Sequence, residues 1–278
     1  MTRAFAVVAC LVTGCAAHPR AAARVVPAAS ESVDNDPSRY FSPPIALAVP
    51  EDAVVRIVGP QMTCTGTLVD EDLVLTAHHC VVQRGPKGEY TKALVAPKEL
   101  RVELGGDYLA WGHVGVTHIL RPRDKNGVPC GEQGGVGDVA ILVLPRKIVG
   151  LGVITPRFDA PPAMDEPLHP VGFGRCSMSD DGIRRRDRGE RGPIAWRTDE
   201  MFEMPASICP GDSGGPVLPR GSHEVVGVVS LSAMDGDEHT ANRSRMVRVD
   251  GYRALFSNAR QVADGASESE LPTVACSR

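Results

Sequence analysis

The sequence predicts an all-β protein, a barrel or sandwich, closed by a single helix at its C-terminal end. Three observations carry this expectation. Short apolar runs of strand length recur from residue 45 onward, turn residues separate nearly all of them, and only one late stretch has helical character. Glycine and proline are plentiful at 29 and 23 residues while aromatics make up 4%, a mix that suits many short strands joined by turns. At 278 residues and 42% hydrophobic content, the chain can bury one large core or two smaller ones.

In chain order, Arg3 precedes an apolar run from Ala4 to Val12, too short to span a bilayer but long enough for the apolar region of a secretory signal. The stretch "LVTGC" resembles the lipobox of bacterial lipoprotein signals, with Val12, Thr13 and Gly14 leading into a lipid-bearing Cys15. On that resemblance residues 1–14 are a signal peptide and Cys15 becomes the acylated first residue. An ordinary signal cleaved near "AAA" at 21 to 23 is the alternative, and Cys10 fits the lipid pattern only loosely. Residues 15–44, rich in Ala, Pro and Ser, read as a flexible tether. Residues 45–262 then form the folded domain, and 263–278 a C-terminal tail.

Within the domain the strand candidates are "AVVRIV" at 53 to 58, "TLVDEDLVLTA" at 67 to 77, "LRVEL" at 100 to 104, "VTHIL" at 116 to 120, "VAILVL" at 139 to 144, "HPVGFG" at 169 to 174 and "VVGVVSLS" at 225 to 232. The helix is "GYRALFSNARQV" at 251 to 262, with Asp250 placed to cap it. A balance of 30 basic and 34 acidic side chains gives no electrostatic reason to expect a nucleic acid partner. Apart from Cys10 and Cys15, six cysteines remain, an even number that favours disulfides in an exported chain. A zinc site at His78, His79 and Cys80 is disfavoured, because consecutive residues do not readily converge on one ion and no second ligand cluster follows. No metal or organic cofactor is expected.

Three motifs bear chemistry. "CPGDSGGPV" at 209 to 217 sets one serine among glycines, as suits a nucleophile whose backbone must approach a substrate carbonyl. "LTAHHC" lies upstream at 75 to 80 and "GDVAIL" between them at 137 to 142. Alone, the first reads equally well as a surface turn and Asp138 as a turn or cap aspartate. Together, in the order His, Asp, Ser, they resemble the trypsin/chymotrypsin-type serine endopeptidases over roughly residues 45 to 262.

The resemblance implies two packed six-stranded antiparallel β-barrels and protein or peptide substrates. It selects His79 as the general base and leaves His78, where the family has a small residue, as a packing or surface variant. Ser213 becomes the nucleophile, Asp138 orients the imidazole, and the backbone N–H groups of Gly211 and Ser213 form the oxyanion hole. Ser230 matches a family serine that supports the aspartate and begins a strand that pairs with extended substrate. Ser207 stands six residues before the nucleophile, where Arg- and Lys-cleaving members carry an aspartate, so apolar or small residues are expected before the cut. Ser232 stands where many members have glycine, and either narrows the pocket mouth or lines an open cleft.

Cys64 with Cys80 matches the family disulfide around the histidine. Cys209 is a family cysteine whose usual partner is missing; Cys176 is the candidate substitute, which would leave Cys130 for Cys276, and the sequence alone leaves the pairing of these four cysteines open. The family aspartate before the nucleophile pairs with an amino terminus freed by zymogen cleavage, which leaves the partner of Asp212 open. The tetrapeptide "RIVG" at 56 to 59 resembles such a cleavage site, but a cut there would delete the first strand. "SRYFSPPIAL" at 38 to 47 shows no matching signature, and the arginine-rich "SDDGIRRRDRGERGP" at 179 to 193 reads as a solvated loop. Two function classes follow: an active endopeptidase, a monomer exported to the cell envelope through Cys15 or secreted, and a silent or zymogen-locked protease-fold protein that binds or regulates.

Overall fold

A computed structural model describes residues 49–105, 110–176, 185–188, 193–233 and 243–276. The signal, the tether and Cys15 lie outside the described residues. In the first half of the domain the elements are β1 (Val54–Gly59), β2 (Met62–Asp70), β3 (Leu73–Thr76), the hairpin of β4 (Val82–Arg84) and β5 (Tyr90–Leu94), β6 (Arg101–Leu104), β7 (Gly112–Gly115), β8 (His118–Leu120) and β9 (Ala140–Val143). Seven of these form an antiparallel sheet in the order β7-β6-β1-β2-β3-β9-β8. Only Val116 and Thr117 separate β7 from β8, and the Thr117 amide donates to the Val143 carbonyl at 2.8 Å. One bent run therefore borders both ends of the order, and the sheet closes on itself as a barrel of six runs.

The second half repeats this device. Its strands are β10 (Thr155–Pro156), β11 (Leu168–Gly172), β12 (Arg186–Asp187), β13 (Trp196–Arg197), β14 (Met201–Pro205), β15 (Pro216–Pro219), β16 (Glu224–Val225), β17 (Gly227–Ala233) and β18 (Arg243–Arg248). The order β12-β11-β15-β17-β18-β14-β13 begins and ends in the same stretch of chain, residues 186–197. The short parallel pair β10 and β16 fastens the connection between barrels, where the Ile154 amide also donates to the Leu68 carbonyl at 3.0 Å.

Residue type explains most of these elements. "TLVDEDLVLTA" divides into the end of β2 and the whole of β3, because Asp70, Glu71 and Asp72 form the polar turn between them. β3 and β9 are buried throughout, and their apolar runs do not alternate because α1 (Arg253–Ala263) covers the outside of the barrel over β3, β8 and β9. Leu255, Ala259 and Val262 are buried at helical spacing, and Arg260 reaches from α1 to Asp72 at 2.5 and 3.0 Å and to Asp70 at 3.2 Å.

Two expectations are corrected. Asp250 does not cap α1: it sits in a preceding turn, and its carboxylate receives the Arg248 guanidinium at 3.0 and 2.6 Å. The arginine-rich stretch is not wholly a solvated loop. Arg185 and Arg188 point inward, Arg185 to Asp52 at 2.8 Å and Arg188 to Asp212 at 2.7 Å, because those buried carboxylates require cations. Most of the remainder, including residues 179–184, lies outside the described residues.

Replacing Leu255 by Ala empties a fully enclosed site between α1 and the first barrel. The expected loss is about 3 kcal/mol within a spread of about 2 to 5, read as a lower midpoint in urea unfolding at unchanged slope.

Candidate active site

β3 delivers the chain into a helical turn, His78–Val81, and the Cys64–Cys80 disulfide ties that turn to β2 with the Cα atoms 6.1 Å apart. Asp138 lies two residues before β9, the strand paired with β3, so sheet register sets the carboxylate beside the turn. The His79 amide donates to Asp138 Oδ1 at 2.8 Å, and the ring Nδ1 donates to Oδ2 at 2.7 Å. Ser230, on β17 of the other barrel, donates its hydroxyl to the same Oδ2 at 2.6 Å and accepts the Gly135 amide at 2.9 Å. With Nδ1 committed to the fully buried carboxylate, Nε2 is the nitrogen left for the cleft. Tyr90 of the hairpin meets the His79 ring edge-on, with centroids 5.6 Å apart.

Ser213 belongs to the second barrel, in the loop before β15. It and His79 line one cleft of about 750 Å³, together with Gly211, Ser230 and Ser232. Thr65 of β2, a buried residue the sequence did not single out, fixes the loop across the seam. Its amide donates to the Ser213 carbonyl at 2.8 Å, and its hydroxyl donates to the Gly211 carbonyl at 2.7 Å while accepting the Phe173 amide at 3.0 Å. Gly214 adopts φ of +81°, and a Cβ there would collide with Thr76 Oγ1 and the Thr65 carbonyl. Glycine at this position is required by the packing behind Ser213.

The neighbouring histidine has a separate duty. His78 is fully buried, and its Nδ1 donates to the Cys130 carbonyl at 2.7 Å. Burial pushes its pKa below the usual histidine value, and the nearby Arg121 cation adds to the effect. Its ring thus packs, neutral, against the segment leading to Asp138.

Three disulfides join described residues, Cys64–Cys80, Cys176–Cys209 and Cys130–Cys276, and the last two supply the pairings that the sequence leaves open. Cys64, His79 and Cys80 lie close enough to share an ion, as do Cys176, Cys209 and Asp212, but the disulfides leave neither group a thiolate. "RIVG" is the end of β1, hydrogen-bonded to β2 and β6, with Arg56 paired to Glu103 at 2.9 Å.

Of the serines expected at the specificity pocket, Ser230 and Ser232 line the cleft, whereas Ser207 stands half-buried beside the lining residue Ile208. Ser244, which the sequence did not flag, pairs with Ser232 across β17 and β18 and donates its hydroxyl to the Ala206 carbonyl at 3.1 Å. That bond ties the segment before Ser213 to β18. Asp212 is buried against Arg188, Gly174 and Cys209.

A family model described as Trypsin matches residues 46–255, more than half of the chain. Among curated relatives, chymotrypsin-like elastase family member 1 of Macaca fascicularis is 27% identical over 220 residues, covering 68% of this chain and 76% of its own length. The cercarial protease of Schistosoma mansoni is 29% identical over 190 residues, covering 60% and 69%. Among solved structures, a Glu endopeptidase superposes with a TM-score of 0.57 at 17% identity, over 79% of this chain and 93% of that one. A scabies mite inactivated protease paralogue gives 0.55, also at 17% identity, over 77% and 96%. These structural likenesses show the fold.

Two outcomes follow from the geometry. Thr65→Val keeps the shape but strands the Gly211 carbonyl and the Phe173 amide, and is expected to cost about 1 to 3 kcal/mol in denaturant unfolding. For His78 the folded pKa is depressed, so the unfolded chain binds the extra proton first and stability falls as pH drops below about 6.5. His78→Gln removes this proton, so the melting temperature of the wild type should decline relative to the variant between about pH 7 and pH 5 and run parallel to it above.

Proposed function

The chain belongs to the trypsin family and is a serine endopeptidase, and from that premise we propose that Ser213, His79 and Asp138 carry the reaction. Ser213 Oγ attacks the substrate carbonyl carbon while His79 Nε2 takes its proton. The oxygen of the tetrahedral intermediate receives the backbone N–H groups of Gly211 and Ser213. His79 then returns the proton to the leaving amine, giving an acyl-enzyme, and water releases the acyl group by the same steps in reverse. Asp138, held by Ser230 and by the His79 amide, orients the ring and stabilises its cation. The observation that supports this assignment best is the buried His79–Asp138 pair at 2.7 Å, in a ring that shares its cleft with Ser213.

Apolar or small residues before the cut suit this cleft. None of the described residues lining it is acidic, while Arg56, Arg84 and Arg175 do line it. A substrate lysine or arginine would lose its hydration there without gaining an anionic partner. Ser230 and Ser232 add neutral, compact side chains to the lining.

Three disulfides fit an exported protein, and no helix among the described residues is long and apolar enough to cross a membrane. We propose that residues 1–14 direct export, that Cys15 carries the lipid, and that residues 15–44 tether the 45–262 domain, a monomer, at a membrane surface where it cuts protein substrates.

A fluorophosphonate probe reports an assembled site. Intact mass should show one adduct on the wild type and none on Ser213→Ala, whose kcat/KM should fall by more than about a thousandfold. An adduct of equal extent on both proteins would sink the assignment of Ser213, and no adduct on either would favour a silent binding module. In a peptide series, Ala, Val or Leu before the cut should exceed Lys or Arg by about tenfold or more in kcat/KM.

A further inference from the structure

We infer that Arg188 is a built-in counter-ion for Asp212, a positioning residue that sets the backbone of residues 211–213 in the uncut chain, so that no cleavage is needed to complete the site. The inference rests on the endopeptidase reading above and extends it to activation.

Asp212 lies between Gly211 and Ser213, the two residues whose N–H groups are assigned to the oxyanion. Its side chain is 1% exposed and that of Arg188 is 6% exposed. Arg188 Nη2 donates to Oδ1 at 2.9 Å, and Nε approaches Oδ2 to 2.7 Å as a charge contact off the line of its N–H. The Gly174 amide donates to Oδ1 at 2.8 Å and the Cys209 amide to Oδ2 at 2.9 Å. All of these partners are internal residues of the chain.

Arg188 is itself held in place. Its amide donates to the Pro170 carbonyl at 2.8 Å, directly after β12 pairs with β11, and Nη2 also donates to the Gly174 carbonyl at 2.6 Å. A Cβ on Gly174 would collide with the Asp212 carboxylate, so glycine makes the space for it. The Cys176–Cys209 disulfide joins the same two segments, and Arg188 Nη1 lies 3.2 Å from Cys176 Sγ.

A buried carboxylate without a cation is costly, and the cheapest relief is for its loop to swing outward and hydrate. With Arg188 present the carboxylate stays inside and the two N–H groups stay aimed at the cleft. The cation comes from within the chain, so the working geometry does not await a freed amino terminus. The stretch that resembles a release site, residues 56–59, is the end of β1, paired to β2 and β6 in the first barrel.

The test uses the full chain, shown uncut by intact mass, with Arg188→Ala and Arg188→Lys. Uncut wild type should label with the fluorophosphonate probe and hydrolyse peptide. Arg188→Ala should lose about a hundredfold or more in kcat with little change in KM, the signature of a lost transition-state interaction. Guanidinium ion, added below denaturing concentration, should restore part of that kcat, a recovery that a merely structural role would not give. Wild-type kcat should hold to about pH 11, whereas Arg188→Lys should lose kcat above about pH 10 as its amine deprotonates. Should Arg188→Ala not fold, the Lys profile decides: a flat profile equal to wild type overturns the inference. Wild-type labelling that appears only after N-terminal trimming, or equal kcat in folded Arg188→Ala, also overturns it and leaves the endopeptidase reading standing. No labelling of Ser213 in any form, cut or uncut, overturns that reading and the inference with it.

Discussion

The seam between the barrels is the constraint on which the site depends. His79 and Asp138 come from one barrel and Ser213 from the other, so a small slide at the seam separates the proposed base from the proposed nucleophile. Thr65 sits on that seam, and its amide, hydroxyl and carbonyl are all engaged: the first two bind the nucleophile loop, and the third accepts the Thr76 hydroxyl at 2.8 Å. Each such bond contributes only about 1 kcal/mol net, while a buried partner left unpaired costs about 1 to 3. That asymmetry gives the seam one register. Ser230 crosses in the opposite direction, from the second barrel to Asp138.

Two buried carboxylates then set the electrostatics, and their surroundings differ. Asp138 accepts hydrogen bonds from a neutral hydroxyl, an amide and the His79 ring, an arrangement that leaves its charge available to an imidazolium when one forms. Asp212 faces a guanidinium that is always charged. The first pair is poised to respond to a proton; the second is fixed. A buried ion pair is poor evidence for stability, since desolvation offsets much of the attraction. Its use here lies in geometry, because it decides where the backbone N–H groups on either side of Asp212 point.

Much of this was legible in the sequence, and the remainder was not for physical reasons. The His, Asp and Ser motifs are contiguous, so each carries its own signature, and the apolar runs of β3 and β9 announce buried strands. β18 escaped notice because Arg243 and Arg245 alternate with its inward residues. Their charge reads as loop until Glu203 on the neighbouring β14 is seen to pair with them, at 3.5 and 3.0 Å. Thr65 and Ser244 carry no local signal at all, since a buried threonine or serine on a strand is ordinary until its distant partners are known. The helix cap failed on competition: Asp250 had a stronger partner in Arg248, two residues earlier, than in the helix amides.

The arginine-rich stretch shows the same limit most sharply. Charge spacing along a chain reports how a segment meets water, and interspersed acids and glycines argue for exposure. It cannot report a buried anion elsewhere that lacks a cation, which is a property of the fold. Asp52 and Asp212 stand 133 and 24 residues away from the arginines that reach them. Once the second barrel encloses Asp212 beside Ser213, some cation has to be enclosed with it, and β12 is the strand whose pairing to β11 brings one there. The glycine at 174 and the disulfide at Cys176 then follow from the same requirement, the first giving the carboxylate room and the second holding together the two segments that surround it.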